Sequence, residues 1–89
     1  MLKIQYRNTF ERDVKRIKKR GLDFSKLKEV MQILAEEKPL PTKYRDHPLI
    51  GNYVGHRECH IQPDWLLIYK KASDTIVFER TGTHSDLFK

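Results

Sequence analysis

Apolar and polar positions alternate in LKIQY, residues 2–6, the period of a short strand whose successive side chains face opposite ways. The period then changes. Phe10, Val14 and Ile17 recur at i, i+4 and i+7 with basic residues filling the positions between, which predicts a helix with one apolar stripe. Asn8 followed by Glu11 predicts a capped first turn, and Gly21 predicts the stop. Leu27, Val30, Met31 and Leu34 predict a second helix, capped by Asp23 or Ser25 and ended by KPLP, residues 38–41. A connection this short pairs the two helices antiparallel. Pro48, Gly51 and Gly55 then punctuate a loop, and a strand is expected from about Tyr53 toward Cys59. Gln62-Pro63-Asp64 reads as a turn. WLLIYK (65–70) and TIVFER (75–80) read as strands joined by KASD, and THSDLF as a short closing turn.

The resulting order is β-α-α-β-β-β. It predicts an α+β fold, with a helical hairpin on one face of a mostly antiparallel sheet. Both parities of 65–70 are apolar: Trp65, Leu67 and Tyr69 on one side, Leu66 and Ile68 on the other. The face away from the helices is therefore expected to display aromatic rings, where a ligand could lie.

Charge sharpens this picture. The net charge is +6, and residues 1–20 carry all of it, with eight basic residues and two acids. Such a localised field suits a polyanion or an acidic partner protein, although a solvated helix face has the same composition. At 89 residues the chain is expected to form one domain, 1–89. A single cysteine, Cys59, excludes an internal disulfide and suits a reducing cytoplasm. No apolar run nears the ~20 residues of a membrane span, and MLKIQYRNTF lacks the apolar centre of a signal peptide.

Histidines stand at 47, 56, 60 and 84, with Asp46, Arg57, Glu58, Asp64 and Arg80 near them in sequence or at strand ends. These residue types suit RNA cleavage by internal attack. A base takes the 2′-OH proton, an acid protonates the departing 5′-oxygen, and a cation holds the charge on phosphorus. Imidazole can give or take a proton near neutrality, and the planar guanidinium matches phosphate oxygens. Aromatic rings could stack a splayed base. Each residue also has a structural role open to it. His60 could be a satisfied strand-end histidine, Asp64 a turn residue, Arg80 the partner of Asp64 or Glu58, and Trp65 and Phe88 core aromatics. His56-x-x-Cys59-His60 brings three zinc-ligand types together. Neighbouring strand residues face opposite sides, however, and no second cysteine is present. No metal or cofactor is expected.

DHPL, CHIQPDWLLIY and RTGTHSDLF, in this order and spacing, resemble the YafQ branch of the RelE/ParE superfamily of type II toxins. The resemblance implies the RelE-like, microbial-RNase-like fold and a ribosome-dependent endoribonuclease that cuts mRNA in the ribosomal A site. It implies catalytic roles for His47, His60, Asp64, Arg80 and His84. On this reading Arg80 stabilises phosphorane charge and His84 is the acid. His60, positioned by Asp64, is the base, His47 assists it, and the acid and base labels could be exchanged. Trp65 and Phe88 would hold RNA bases, and Lys15, Lys18 and Lys19 would dock ribosomal RNA. The implied partner is an acidic antitoxin of the DinJ or RelB kind, through which the complex reaches operator DNA; the free toxin is expected to be a monomer. Two other classes remain open on the sequence: a ParE-like gyrase inhibitor, which needs no such histidine set, and a nucleic-acid-binding module without catalysis.

Overall fold

The computed structural model describes residues 1–88. Its five strands are β1 (Lys3–Tyr6), β2 (His47–Pro48), β3 (Arg57–Gln62), β4 (Trp65–Lys71) and β5 (Thr75–Gly82), ordered β1-β5-β4-β3-β2 across one sheet. β1 runs parallel to β5 and the other pairings are antiparallel. The helices are α1 (Asn8–Lys19), α2 (Phe24–Ala35) and the short α3 (His84–Leu87). The expected α+β order holds, with β2 and α3 added to it.

α1 begins without the expected cap. Asn8 already lies in the first turn, and Arg7, at the cap position, makes no side-chain cap bond. The anchorage comes from β5 instead: Arg7 N donates to Phe78 O at 3.1 Å, and Thr9 Oγ1 donates to Glu79 O at 3.0 Å. The chain leaves β1 while still bonded to its neighbour, so tertiary bonds replace the local one. α2 is capped as expected, with Asp23 Oδ1 accepting from Ser25 N at 3.0 Å. β3 starts at Arg57 rather than near Tyr53. Gly55 takes φ +89°, a left-handed conformation that ends any extended run, and residues Gly51–Tyr53 form a 3-10 turn.

α1 and α2 cover one face of the sheet. Phe10, Ile17, Leu27, Val30 and Met31 pack there on Cys59, Ile61, Trp65, Leu67, Tyr69, Ile76 and Phe78. Each such side chain contributes roughly 1.5–3 kcal/mol by leaving water, so this layer dominates stability. The rings of Trp65 and Tyr69 therefore point to the helices, contrary to the expectation of an aromatic open face. The opposite face presents Leu66 and Ile68, covered by Leu87, Leu49 and Tyr53.

α3 has four residues, too few to hold itself. Thr83 Oγ1 accepts from Asp86 N at 3.1 Å while Asp86 Oδ2 accepts from Thr83 N at 3.0 Å, a reciprocal cap. Arg20, at the C-terminal cap of α1, grips the same carboxylate with two bonds, 2.6 and 3.0 Å, and Arg16 lies 3.3 Å from it. Gly82 permits this closure: at φ +154°, a Cβ would stand 2.8 Å from Asp86 Oδ2. The Arg20 bonds first, and those to Thr83 next, hold Asp86 well below the ordinary carboxylate range against its desolvation. A carboxylate depressed on folding stabilises the fold above its unfolded value, about pH 4, and stops doing so as pH falls through its lower folded value. Asp86→Asn should therefore destabilise the protein by about 1.5–3 kcal/mol at pH 7, with the gap to wild type closing below about pH 4. Urea unfolding at pH 7, 4 and 3 measures this; a gap independent of pH would assign the loss to packing.

Candidate functional site

Three imidazoles come together where β2, β3 and the end of β5 meet. His47 and Glu58 are cross-strand partners in the β2–β3 bridge, and His60, two residues beyond Glu58, shares its face of the strand. His60, Leu66 and Gly82 lie in one row across β3, β4 and β5, so α3, starting two residues past Gly82, carries His84 over His60. The ring centroids are 6.0 Å apart for His47 and His60, and 5.9 Å for His60 and His84. Phe88, 43% exposed, lies 6.4 Å from the His84 ring and 5.8 Å from the Tyr53 ring.

Two carboxylates fix these rings. Asp64 Oδ1, in the β3–β4 turn, accepts from His84 N at 2.9 Å and faces His84 Nδ1 at 2.7 Å. The backbone bond chiefly, and the ring bond after it, hold Asp64 below its ordinary range. An ionised Asp64 places the His84 proton on Nδ1 and leaves Nε2 outward on a half-exposed side chain. Glu58, 5% exposed, sets the other pair: its Oε1 is 3.1 Å from His60 Nε2 and 3.4 Å from His47 Nε2. The sequence reading has Asp64 position His60; Asp64 instead positions His84, because the turn ends beside α3 and Glu58 has taken His60.

His47 Nδ1 lies 2.7 Å from the Arg45 carbonyl, which can only accept, so Nδ1 carries a proton. In neutral His47 the Nε2 lone pair then faces a carboxylate oxygen, an arrangement that a further proton or a bound cation would relieve. Two imidazoles and a carboxylate with ligand atoms all within 4.8 Å are donor types that suit zinc or copper. This trio differs from the one considered in the sequence. Cys59 lies wholly buried on the helix side, where burial pushes its thiol far up.

Arg80 reaches the site through a bulge. The β4–β5 register shifts between Ile68–Arg80 and Tyr69–Phe78, leaving Glu79 as the extra residue and re-aiming Arg80. Its Nε and Nη2 donate to Asp13 of α1 at 2.6 and 3.1 Å. Asp13, 1% exposed, also accepts from Thr81 N at 3.1 Å. The Asp13 bonds hold the guanidinium above its ordinary range, outweighing desolvation, with smaller help from Tyr53. Three of the five N–H groups remain for another anion.

Trp65 requires a correction. It is 1% exposed and donates from Nε1 to Thr81 Oγ1 at 2.9 Å, so it belongs to the core beneath the site and offers no ring to a base. Trp65→Phe should cost about 1–3 kcal/mol in urea unfolding while leaving the half-saturating concentration for any RNA substrate unchanged; a large rise in that concentration would return the indole to the binding surface. Lys15, Lys18 and Lys19 are exposed on α1, away from the histidines. Lys15 and Lys18 edge an apolar groove formed by Tyr6, Phe10, Val14, Phe24 and Met31. His56 meets Glu79 at 3.3 Å, outside the cluster.

Sequence reasoning missed Asp13 and Tyr53 as parts of this arrangement, and it named Glu58 as a carboxylate near the histidines or a partner of Arg80 without pairing it to His47 and His60. Asp13 and Glu58 left a trace. Asp13 sits on the Phe10–Ile17 stripe, three residues past one and four before the other, and Glu58 shares the strand parity of His60.

Residues 2–89 match the family described as the bacterial toxin of type II toxin-antitoxin system, YafQ. The mRNA interferase toxin YafQ of Escherichia coli K12 is 48% identical over 86 residues, covering 96% of this chain and 94% of that protein. A chain in the crystal structure of the E. coli DinJ-YafQ complex superposes with a TM-score of 0.94 at 46% identity, each chain fully covered. A metal-bound toxin from Helicobacter pylori superposes with a TM-score of 0.92 at 43% identity, covering 99% of this chain and all of that one. The fold is thus the RelE-like one that the sequence motifs implied.

Proposed function

Since the chain belongs to the YafQ family of type II toxins, we propose that it is an mRNA interferase that cuts messages in the ribosomal A site by acid–base catalysis. The observation that carries the mechanism is the placement of His84, oriented by Asp64, one ring spacing (5.9 Å) from His60. In this mechanism a ribose 2′-oxygen attacks the adjacent phosphorus. His60, or His47 beside it, takes the 2′-OH proton. The bond from phosphorus to the 5′-oxygen breaks, and His84, entering the step protonated on both ring nitrogens with Nδ1–H held by Asp64, delivers its Nε2 proton to that oxygen. The products are a 2′,3′-cyclic phosphate and a free 5′-OH. Arg80, aimed by Asp13, offers its remaining N–H groups to the charge that builds on phosphorus. Phe88, with Tyr53 behind it, gives an exposed ring for a base.

No step runs through a metal. Where a divalent ion binds, His47, Glu58 and His60 would hold it, and it would supply Lewis-acid charge to a phosphate oxygen.

The partner is an antitoxin related to DinJ, with operator DNA reached through that complex. An acidic, partly disordered segment fits the apolar groove edged by Lys15 and Lys18, while Lys19 and its neighbours dock ribosomal RNA. No helix among the described residues is long and apolar enough to cross a membrane. The reading places the toxin in the cytoplasm, as one domain and a monomer when free.

Purified translation with primer extension on the message tests the function. Cuts in the A-site codon ending in 2′,3′-cyclic phosphate are the expected result. Intact messages together with blocked gyrase supercoiling would instead assign the chain to the gyrase-binding class.

A further inference from the structure

A pocket of about 470 Å³ opens beside His60, and His84 is not among its lining residues. Lys26 and Glu29 of α2, Lys43, Tyr44 and Arg45 of the connecting segment, and His60, Ile61, Gln62 and Pro63 line it. Three of the lining residues are cations and one is a carboxylate. Among the described residues, none of Lys26, Lys43 and Arg45 forms an ion pair, whereas Arg7, Arg16 and Arg20 of the basic N-terminal segment are engaged with Glu79, Asp13 or Asp86. The lining thus sets three cations against one carboxylate and adjoins the imidazole cluster.

The backbone ties the pocket to that cluster. Arg45 takes φ +50°, a left-handed conformation costly for a residue with a side chain. That conformation ends the turn Thr42–Tyr44 and aims the Arg45 carbonyl at His47 Nδ1. One strained residue thus presents its carbonyl to a site histidine and is itself part of the pocket lining. A strand with its reacting link on His60 and His84 would, if it continued past His60, bring a neighbouring phosphate to these cations.

We infer that the pocket beside His60, walled by Lys26, Lys43 and Arg45, is a subsite for a message phosphate flanking the one that is cut. The inference rests on the proposed function and adds a second contact along the same strand. The chemistry it recognises is an RNA phosphodiester, which a message and ribosomal RNA both carry; the continuity with His60 favours the message.

The test is a cycle on ribosomes programmed with messages carrying one neutral methylphosphonate link, placed in turn on each side of the cleavage position. Lys26→Ala/Lys43→Ala should raise the half-saturating toxin concentration about tenfold, lower the maximal single-turnover rate far less, and flatten the salt dependence. At one flanking position the neutral link should produce much of that weakening in the wild type and little more in the double variant. Additive effects at every position would assign the lysines to ribosomal RNA and overturn the inference. A double variant matching wild type in concentration and salt dependence would overturn it too, as would one whose defect is confined to antitoxin binding. Wild-type protein that leaves all-phosphate messages uncut would instead refute the interferase reading itself, so the two failures are distinguishable.

Discussion

His84→Ala should slow message cleavage by about 10²–10⁴-fold, the range for removing a general acid, while the protein stays folded. The folding part of this expectation comes from the local geometry. The His84 side chain is 54% exposed and its one hydrogen bond among the described residues is to Asp64, itself 66% exposed. The backbone bond from His84 N to Asp64 survives the substitution. The reciprocal cap of α3 involves Thr83 and Asp86 and is untouched. Ribosome binding should change little, so the loss belongs in the maximal single-turnover rate on programmed ribosomes. Asp64→Asn gives the companion result. Its carboxamide can still accept from His84 N, but it carries no charge and can turn an N–H toward Nδ1, which then accepts and is no longer the N–H that a ring protonated on both nitrogens, the acid form, must hold there. A loss of about 10–10³-fold is expected, smaller than for His84→Ala because the ring remains. Should His84→Ala cleave within threefold of wild type, the acid must be sought elsewhere, and His60 would be the next candidate.

The parts of this arrangement that were legible in the sequence are those that repeat along it. The 3.6-residue stripe of α1 and the Asp23 cap of α2 were readable because they are local. The same periodicity held the Asp13 signal, yet in a helix with five basic residues an aspartate reads as a surface charge. Its burial depends on Arg80 arriving from 67 residues away. In β3 the alternation put Glu58 and His60 on one face and Cys59 and Ile61 on the other. It gave no hint that His47 would join them, because β2 is a bridge of two residues with no pattern of its own. β4 failed differently. With both parities apolar, alternation alone could not say which side met the helices, and the indole of Trp65 was assigned to RNA when it faces the core. Asp64 was readable as a turn residue. Its partner was not, since His84 lies 20 residues on and reaches it only after β5 has closed the sheet.

Arg80→Ala should remove activity and stability together, and a second substitution should separate them. Cleavage is expected to fall about 10²–10³-fold, the usual effect of deleting one donor to developing charge. Stability is expected to fall by about 3 kcal/mol, because Asp13, 1% exposed, is left as a buried anion without its main partner. Arg16, 3.5 Å away, and Thr81 N–H still face Asp13, which places the loss at the low end of the range for broken buried pairs. Asp13→Asn in the Arg80→Ala background removes the orphaned charge and keeps an oxygen for Thr81 N–H. That double variant should recover about 1–2 kcal/mol in urea unfolding and none of the cleavage rate. Arg80→Lys supplies a point charge in place of the fork, so it cannot both hold Asp13 with two bonds and donate to phosphate; it should keep more stability than activity. If the double variant regained cleavage along with stability, Arg80 would act only as the counter-charge that lets Asp13 be buried, and the guanidinium would have no part in holding the phosphorane.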